Sequence, residues 1–230
     1  MKTSYHIPPF AQRCRQAADQ AWKASFEHPF VRELAKGTLD KQKFRFYQMH
    51  DARYLEAFAD ATSLIAVRCR QPKDKLWFIE AARLALVVEG ELHAGYGKTL
   101  GYNEKDIAEL ELTLNNAAYQ NHMVATAQRG SLLEAVAAIT PCPWLYIDLG
   151  QHLLQELKTI PDDHPYANWL RMYSNPQFND YMENLLERLQ RFSEESDAST
   201  CQRAVEAFVM SARYEYLFWE AAYTNQKWPV

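Results

Sequence analysis

Apolar side chains return every three or four residues along almost the whole chain, the spacing that lines one face of a helix. The pattern predicts a first helix over about Pro9 to Phe26. Asp40 is placed to cap a second, which runs to about Cys69. A third opens near Pro72, where a proline suits the first turn, and ends near Leu100. A broken helical stretch covers about Asn103 to Arg129, and Gly130–Ser131 separates it from the next helix. There Ser131 and Glu134 make a capping-box pattern, and the helix they start ends near Ile160. Beyond the proline-marked loop Ile160–Pro165 come helices over about Pro165 to Ser174 and Pro176 to Ser193. A polar linker, Ser193–Thr200, leads to a last helix over about Cys201 to Tyr223. No stretch alternates apolar and polar residues between turn signals, so almost no strand is expected. Nothing in the sequence marks a repeat or a boundary. One all-α domain spanning residues 1–230 is the predicted architecture.

Composition supports that picture and removes several functions. The chain has 7 glycines in 230 residues, which leaves few tight turns, and is 48% hydrophobic, enough for a large core. The net charge of −4 comes without a basic stripe, so a nucleic-acid partner is not expected. Cys14, Cys69, Cys142 and Cys201 are far apart and form no CxxC pair, which suits reduced thiols in a cytoplasmic protein. Met1 to Phe10 carries no apolar leader core. The most apolar long stretch, Ser131 to Gly150, contains Glu134, Pro141, Pro143 and Asp148 and makes a poor membrane span.

Chemistry is sought where residues break the helical pattern. Phe44, Tyr47, Asp51, Tyr54, Leu55 and Phe58 share one face, which sets Asp51 inside an aromatic stripe. A carboxylate there is costly unless paired or hydrogen-bonded, and a tyrosine or arginine from another helix would satisfy it structurally. The last helix repeats the theme. Glu215 lies on the face made by Ala204, Phe208, Ser211, Ala212, Phe218, Trp219 and Ala222, with a buried salt bridge to Arg213 or another arginine as its structural alternative. The third anomaly is Thr140-Pro141-Cys142-Pro143-Trp144-Leu145-Tyr146. Pro143 has no N–H to offer the carbonyl of Ile139, so a kink is expected beside Cys142. Most apolar-face cysteines are small core residues, the reading that fits Cys14, Cys69 and Cys201. The flanking prolines and aromatics single out Cys142 as a candidate nucleophile. No lysine, arginine or histidine lies within five residues of it, so its base must come from another helix. Asp51 and Glu215 are the candidates, one to take the thiol proton and one to protonate a leaving group.

At these residues the sequence resembles the TenA/thiaminase II family, from Trp22 to Trp228. The resemblance rests on Ser25-Phe26-Glu27-His28-Pro29-Phe30-Val31, Gly37-Thr38-Leu39, Phe44-Arg45-Phe46-Tyr47, Asp51 and Tyr54-Leu55. It continues through Glu91-Leu92-His93, Tyr119, Pro141 to Tyr146, His164-Pro165-Tyr166, Trp169 and Tyr173. Its last part is Tyr214-Glu215-Tyr216-Leu217-Phe218-Trp219 with Ala222-Tyr223. The resemblance implies a haem-oxygenase-like helical bundle without haem or other cofactor, usually a homotetramer. It implies hydrolysis of aminopyrimidine (4-amino-5-aminomethyl-2-methylpyrimidine) to hydroxymethylpyrimidine and ammonia. Thiamine would be cleaved to hydroxymethylpyrimidine and thiazole as a second activity, in thiamine salvage. It further implies Cys142 as nucleophile, Asp51 and Glu215 as the acidic pair, and Tyr54, Tyr119, Tyr146 and Tyr173 as pyrimidine-pocket residues. Two positions depart from the usual pattern. Pro143 follows the cysteine where an aromatic is common, and His50 precedes the acidic position where glutamine or another polar residue is common.

Two other classes are weighed against this one. Glu89 with His93, and Asp148 with His152, are spaced i, i+4, as carboxylate–histidine ligands of a metal-dependent oxygenase would be. Such spacing more often marks surface pairs, and no fuller ligand set is evident. The other is a non-catalytic pyrimidine-binding protein, which would need no activated thiol.

Overall fold

The computed structural model describes residues 5–230, apart from the side chains of residues 88–94. Among the described residues every regular element is a helix. The first three are α1 (Pro9–Ala17), α2 (Asp19–Glu27) and α3 (Pro29–Ala35), followed by the long pair α4 (Lys41–Arg68) and α5 (Pro72–Leu100). Next come α6 (Glu104–Ala108), α7 (Leu114–Arg129), α8 (Leu132–Ile139) and α9 (Pro141–Leu157). The chain ends with α10 (Ala167–Tyr173), α11 (Phe178–Glu194) and α12 (Ala198–Thr224).

The predicted caps form. The Asp40 carboxylate accepts the amides of Gln42 at 2.7 Å and Lys43 at 3.4 Å. Ser131 and Glu134 complete their reciprocal box at the start of α8. A second box, Asn103 with Asp106, starts α6. Three boundaries differ from the sequence reading. The first predicted helix breaks at Ala18, whose ψ of 5° takes it out of the helix. A short α3 follows because His28 caps it, its Nδ1 accepting the Phe30 amide at 3.1 Å, with Pro29 as a natural first residue. The long apolar segment divides at Thr140 into α8 and α9.

That division is where the expected proline kink falls. Pro141 opens α9, Cys142 is its second residue and Pro143 its third. The disruption therefore lies at a helix boundary, before the cysteine, where a missing N–H costs least. The stretch Leu132–Leu157 is long and apolar enough to cross a bilayer, but 72% of its most apolar window is buried inside the bundle.

Helix α4 packs against α5, α7, α8 and α12, and α12 packs against α2, α7, α8 and α9. The two helices bearing Asp51 and Glu215 thus form the middle of the structure. Between them lies an aromatic core that includes the fully buried Trp22, Trp144, Trp169, Trp219, Tyr47 and Tyr119. Cys14 and Cys69 are buried in it and Cys201 packs at its edge, as small core residues do.

Helix α9 lies against α10 with no room between them at one point. A Cβ on Gly150 would meet the backbone carbonyl carbon of Tyr173 at 2.4 Å and its oxygen at 2.5 Å. Backbone cannot swing aside as a flexible side chain can. Gly150→Ala should therefore lower stability by about 1–3 kcal/mol and push Tyr173 away from Tyr146, whose ring centroid is now 4.9 Å off. Urea denaturation measures the first effect. A midpoint equal to wild type would mean that the two helices part without cost.

Candidate active site

A cavity of about 340 Å³ opens between α4, α5, α9, α10 and α11. Its polar wall carries Asp51, Cys142, Tyr146 and Tyr173. Leu55 and Phe58 from α4, Leu84 from α5 and Phe178 from α11 make much of the rest apolar. The carboxylate of Asp51, only 5% exposed, and the thiol of Cys142 thus come from different helices to one space. Such a mostly apolar cleft with a few convergent polar groups suits a small, flat ligand.

Glu215 stands behind this wall, 2% exposed. Its partner is a tyrosine from another helix and not Arg213: the Tyr119 hydroxyl donates to Glu215 Oε1 at 2.6 Å. Tyr119 leans on Tyr54 with centroids 4.9 Å apart and stacks on Tyr214 at 5.3 Å. Tyr54 in turn donates to the sulfur of Met123 at 3.2 Å. Burial, and then the negative fields of Glu215 and Cys142, hold the Tyr119 hydroxyl well above its ordinary range. Burial and the field of Cys142, then of Tyr119 and Glu215, do the same to Tyr54. Tyr146 is raised by burial and by Tyr47, Asp51 and Glu215. The seven predicted residues are therefore one electrostatic unit. Four line the cavity, and Tyr54, Tyr119 and Glu215 form the layer beneath.

Burial also pushes the Glu215 carboxyl up to about 8, with the Asp51 charge adding to the rise and the Tyr119 hydrogen bond opposing it. At neutral pH Glu215 therefore carries its proton, as a general acid must.

Several participants are not singled out by sequence. Tyr47, visible only as one member of the α4 stripe, accepts the indole N–H of Trp169 at 3.2 Å and donates to the Tyr146 hydroxyl at 3.3 Å. Gln177, Phe178 and Tyr181 reach the cavity from the start of α11, and Met172 from α10. The only sequence signal for the three at the start of α11 is their place after the Pro176 turn, and Met172 has none; neither separates them from ordinary core residues.

The two departures from the family pattern fare differently. Pro143 lines the cavity, so it sets the wall's shape beside the thiol. His50 faces α7: its ring lies 4.3 Å from Phe46, and Asn116 Nδ2 is 3.3 Å from its Nδ1. Burial and then Arg53 lower His50 to about 4, so it stays neutral.

The Asp148–His152 pair is not brought onto a common ligand site by this geometry. Asp148 accepts the Tyr5 hydroxyl at 2.8 Å, while His152 Nε2 lies 3.1 Å from Glu156. Glu89 and His93 lie outside the described residues.

This architecture is the haem-oxygenase-like fold. A domain with that fold from Shewanella denitrificans OS217 superposes at a TM-score of 0.72 with 12% identity, covering 96% of this chain and 94% of its own. Within that class the chain belongs to the TENA/THI-4/PQQC family, which it matches over residues 15–225. Aminopyrimidine aminohydrolase of Halalkalibacterium halodurans is 31% identical over 222 residues, 95% of this chain and 97% of that protein. The enzyme of the same name from Helicobacter pylori is 31% identical over 218 residues, 94% of this chain and 99% of that one. The TenA homologue protein from P. horikoshii OT3 is 33% identical with a TM-score of 0.82, covering 94% of this chain and 99% of its own.

The raised carboxyl has a consequence for stability. Between the ordinary carboxyl value and about 8 the folded chain holds a proton on Glu215 that the unfolded chain has lost. Stability attributable to this group therefore declines as pH rises through that window. Glu215→Gln mimics the protonated acid and cannot titrate. Its urea midpoint should fall less than that of wild type between about pH 5 and pH 9. Parallel pH slopes for the two proteins would mean that Glu215 titrates as an ordinary carboxyl.

Proposed function

We propose that the protein hydrolyses the exocyclic C–N bond of 4-amino-5-aminomethyl-2-methylpyrimidine, giving hydroxymethylpyrimidine and ammonia, and that it cleaves thiamine to hydroxymethylpyrimidine and thiazole. One observation carries the reading. A thiol and a carboxylate share one aromatic cavity, with a proton-bearing carboxyl in the layer directly beneath. The names of the relatives support the same substrate class.

The chemistry follows from the residues. Cys142 is the nucleophile, and its position as second residue of α9 sets it where a helix end favours negative charge. Asp51 takes the thiol proton and hydrogen-bonds the ring as charge develops on its nitrogens. The sulfur–carbon bond forms at a ring carbon, and electron density moves through the ring towards the exocyclic carbon. The C–N bond then breaks: the amine of aminopyrimidine takes the proton of Glu215 and leaves as ammonia, whereas the thiazole of thiamine leaves neutral as its nitrogen regains the bonding pair. Water adds to the resulting methylene; its proton returns to Glu215 in the first case and is released to solvent in the second. Expulsion of the Cys142 thiolate restores the aromatic ring. Tyr146 and Tyr173 supply aromatic surface and hydroxyls to the pyrimidine, and Tyr54 and Tyr119 support the pocket from the layer beneath. A cytoplasmic homotetramer using no metal or other cofactor completes the proposal.

Incubation of the purified protein with each substrate, with hydroxymethylpyrimidine quantified, tests the activity directly. No product from either compound would end this reading. Cys142→Ser should cut turnover by at least about a thousandfold with the fold intact, since a hydroxyl is a far poorer nucleophile near neutral pH. Wild-type-like turnover would remove Cys142 from its role. The acid role has its own signature. Glu215→Gln should lose most on substrates whose leaving groups have high pKa values, so a leaving-group series in single-turnover assays should steepen. Asp51→Asn should lose a similar factor on every member. Equal losses across the series in both variants would overturn this division of labour.

A further inference from the structure

Buried serines and threonines inside these helices bond back within their own chain segment, Ser193 to the carbonyl of Gln190 three residues back. Ser25, Thr62 and Thr140 each donate to the carbonyl four residues back on their own chain, at 3.0, 2.7 and 2.7 Å. Ser211, 0% exposed in the middle of α12, does otherwise. Its hydroxyl crosses to α8 and donates to the carbonyl of Ala138 at 2.6 Å. The carbonyl it would have used, that of Ala207, lies 3.2 Å from His122 Nε2 instead.

Both ends of this cross-helix bond are informative. Ala138 is one helical turn before Cys142, and the carbonyls on either side of it, those of Ala137 and Ile139, are the ones that Pro141 and Pro143 leave without a helical donor. Ser211 is one turn before Glu215 on the same helix. The bond thus joins the helix carrying the proton donor to the break carrying the thiol, one turn from each. We propose that Ser211 is a positioning residue for the reaction, a strut that sets Cys142 in register with Glu215. The inference rests on the function proposed above.

The physical reasoning is short. Loss of the hydroxyl leaves the Ala138 carbonyl stranded in a dry core, and such a group must find another donor or remain unpaired. The turn bearing Cys142 begins directly after this carbonyl, so a change in how Ala138 is held is felt there first. A shift of an ångström between nucleophile and acid is felt mainly in the chemical step, and substrate binding changes little.

The test compares Ser211→Ala with Thr62→Val. The second change removes a buried hydroxyl whose bond stays within α4 and joins no second helix. Both should lower the melting temperature, and all assays are run well below it. Ser211→Ala should reduce kcat on aminopyrimidine by about ten- to a hundredfold with KM within about twofold, and should slow alkylation of Cys142 by iodoacetamide. Thr62→Val should leave both near wild type. The strut is overturned if Ser211→Ala keeps wild-type kcat and alkylation rate, or if Thr62→Val impairs both as severely. The alkylation arm needs no substrate. Should the wild-type protein fail to turn over aminopyrimidine, the functional reading falls while alkylation still decides whether Ser211 positions the thiol.

Discussion

The 2.6 Å hydrogen bond from Tyr119 to Glu215 is the interaction on which the rest of the site depends. A carboxyl group removed from water must be neutral, paired or well hydrogen-bonded. Here it is neutral and hydrogen-bonded, with no ion pair to a cation among the described residues. An arginine partner would have held Glu215 ionised and spoiled it as a proton donor. A tyrosine satisfies one oxygen, opposes the rise only in part, and leaves the proton in place. The surrounding aromatic shell serves the same end, because tilted and stacked rings exclude water without offering charge.

Helix order explains how so many polar groups meet in an apolar bundle. α4 and α12 run through the middle, and each presents one carboxyl on an otherwise apolar face. Cys142 arrives on a third element, at a point where prolines interrupt the longest apolar segment. Each helix therefore contributes one of the candidate catalytic side chains. The energetic burden of burying polar groups is spread over three elements that are well packed elsewhere.

Much of this could be read from the chain alone. Asp51 and Glu215 stood out because period 3.6 placed each of them in the middle of an apolar stripe. The Ser131–Glu134 box and the Asp40 cap were legible because capping needs only local residues. What could not be read was everything decided across helices. Nothing local distinguishes Tyr119 from Arg213 as the partner of Glu215, and nothing local marks Tyr181 or Gln177 as cavity wall. The sequence predicts one helix from Ser131 to about Ile160, kinked at Pro143, where the chain divides at Thr140, because a proline at the third helical position looks, in sequence, like a proline inside a helix. The seven candidate residues were found to neighbour one another. The second layer, with Tyr47 and Ser211 joining helices, required the fold.

The Trp169–Tyr47–Tyr146 chain has a further consequence. An indole nitrogen can only donate, so the Tyr47 oxygen receives a hydrogen from Trp169 and passes its own to Tyr146. Tyr146 lines the cavity, so the hydroxyl it carries there is tied through Tyr47 on α4 to Trp169 on α10. That stretch of cavity wall is therefore pinned from two other helices, and its shape is a property of the packed core behind it.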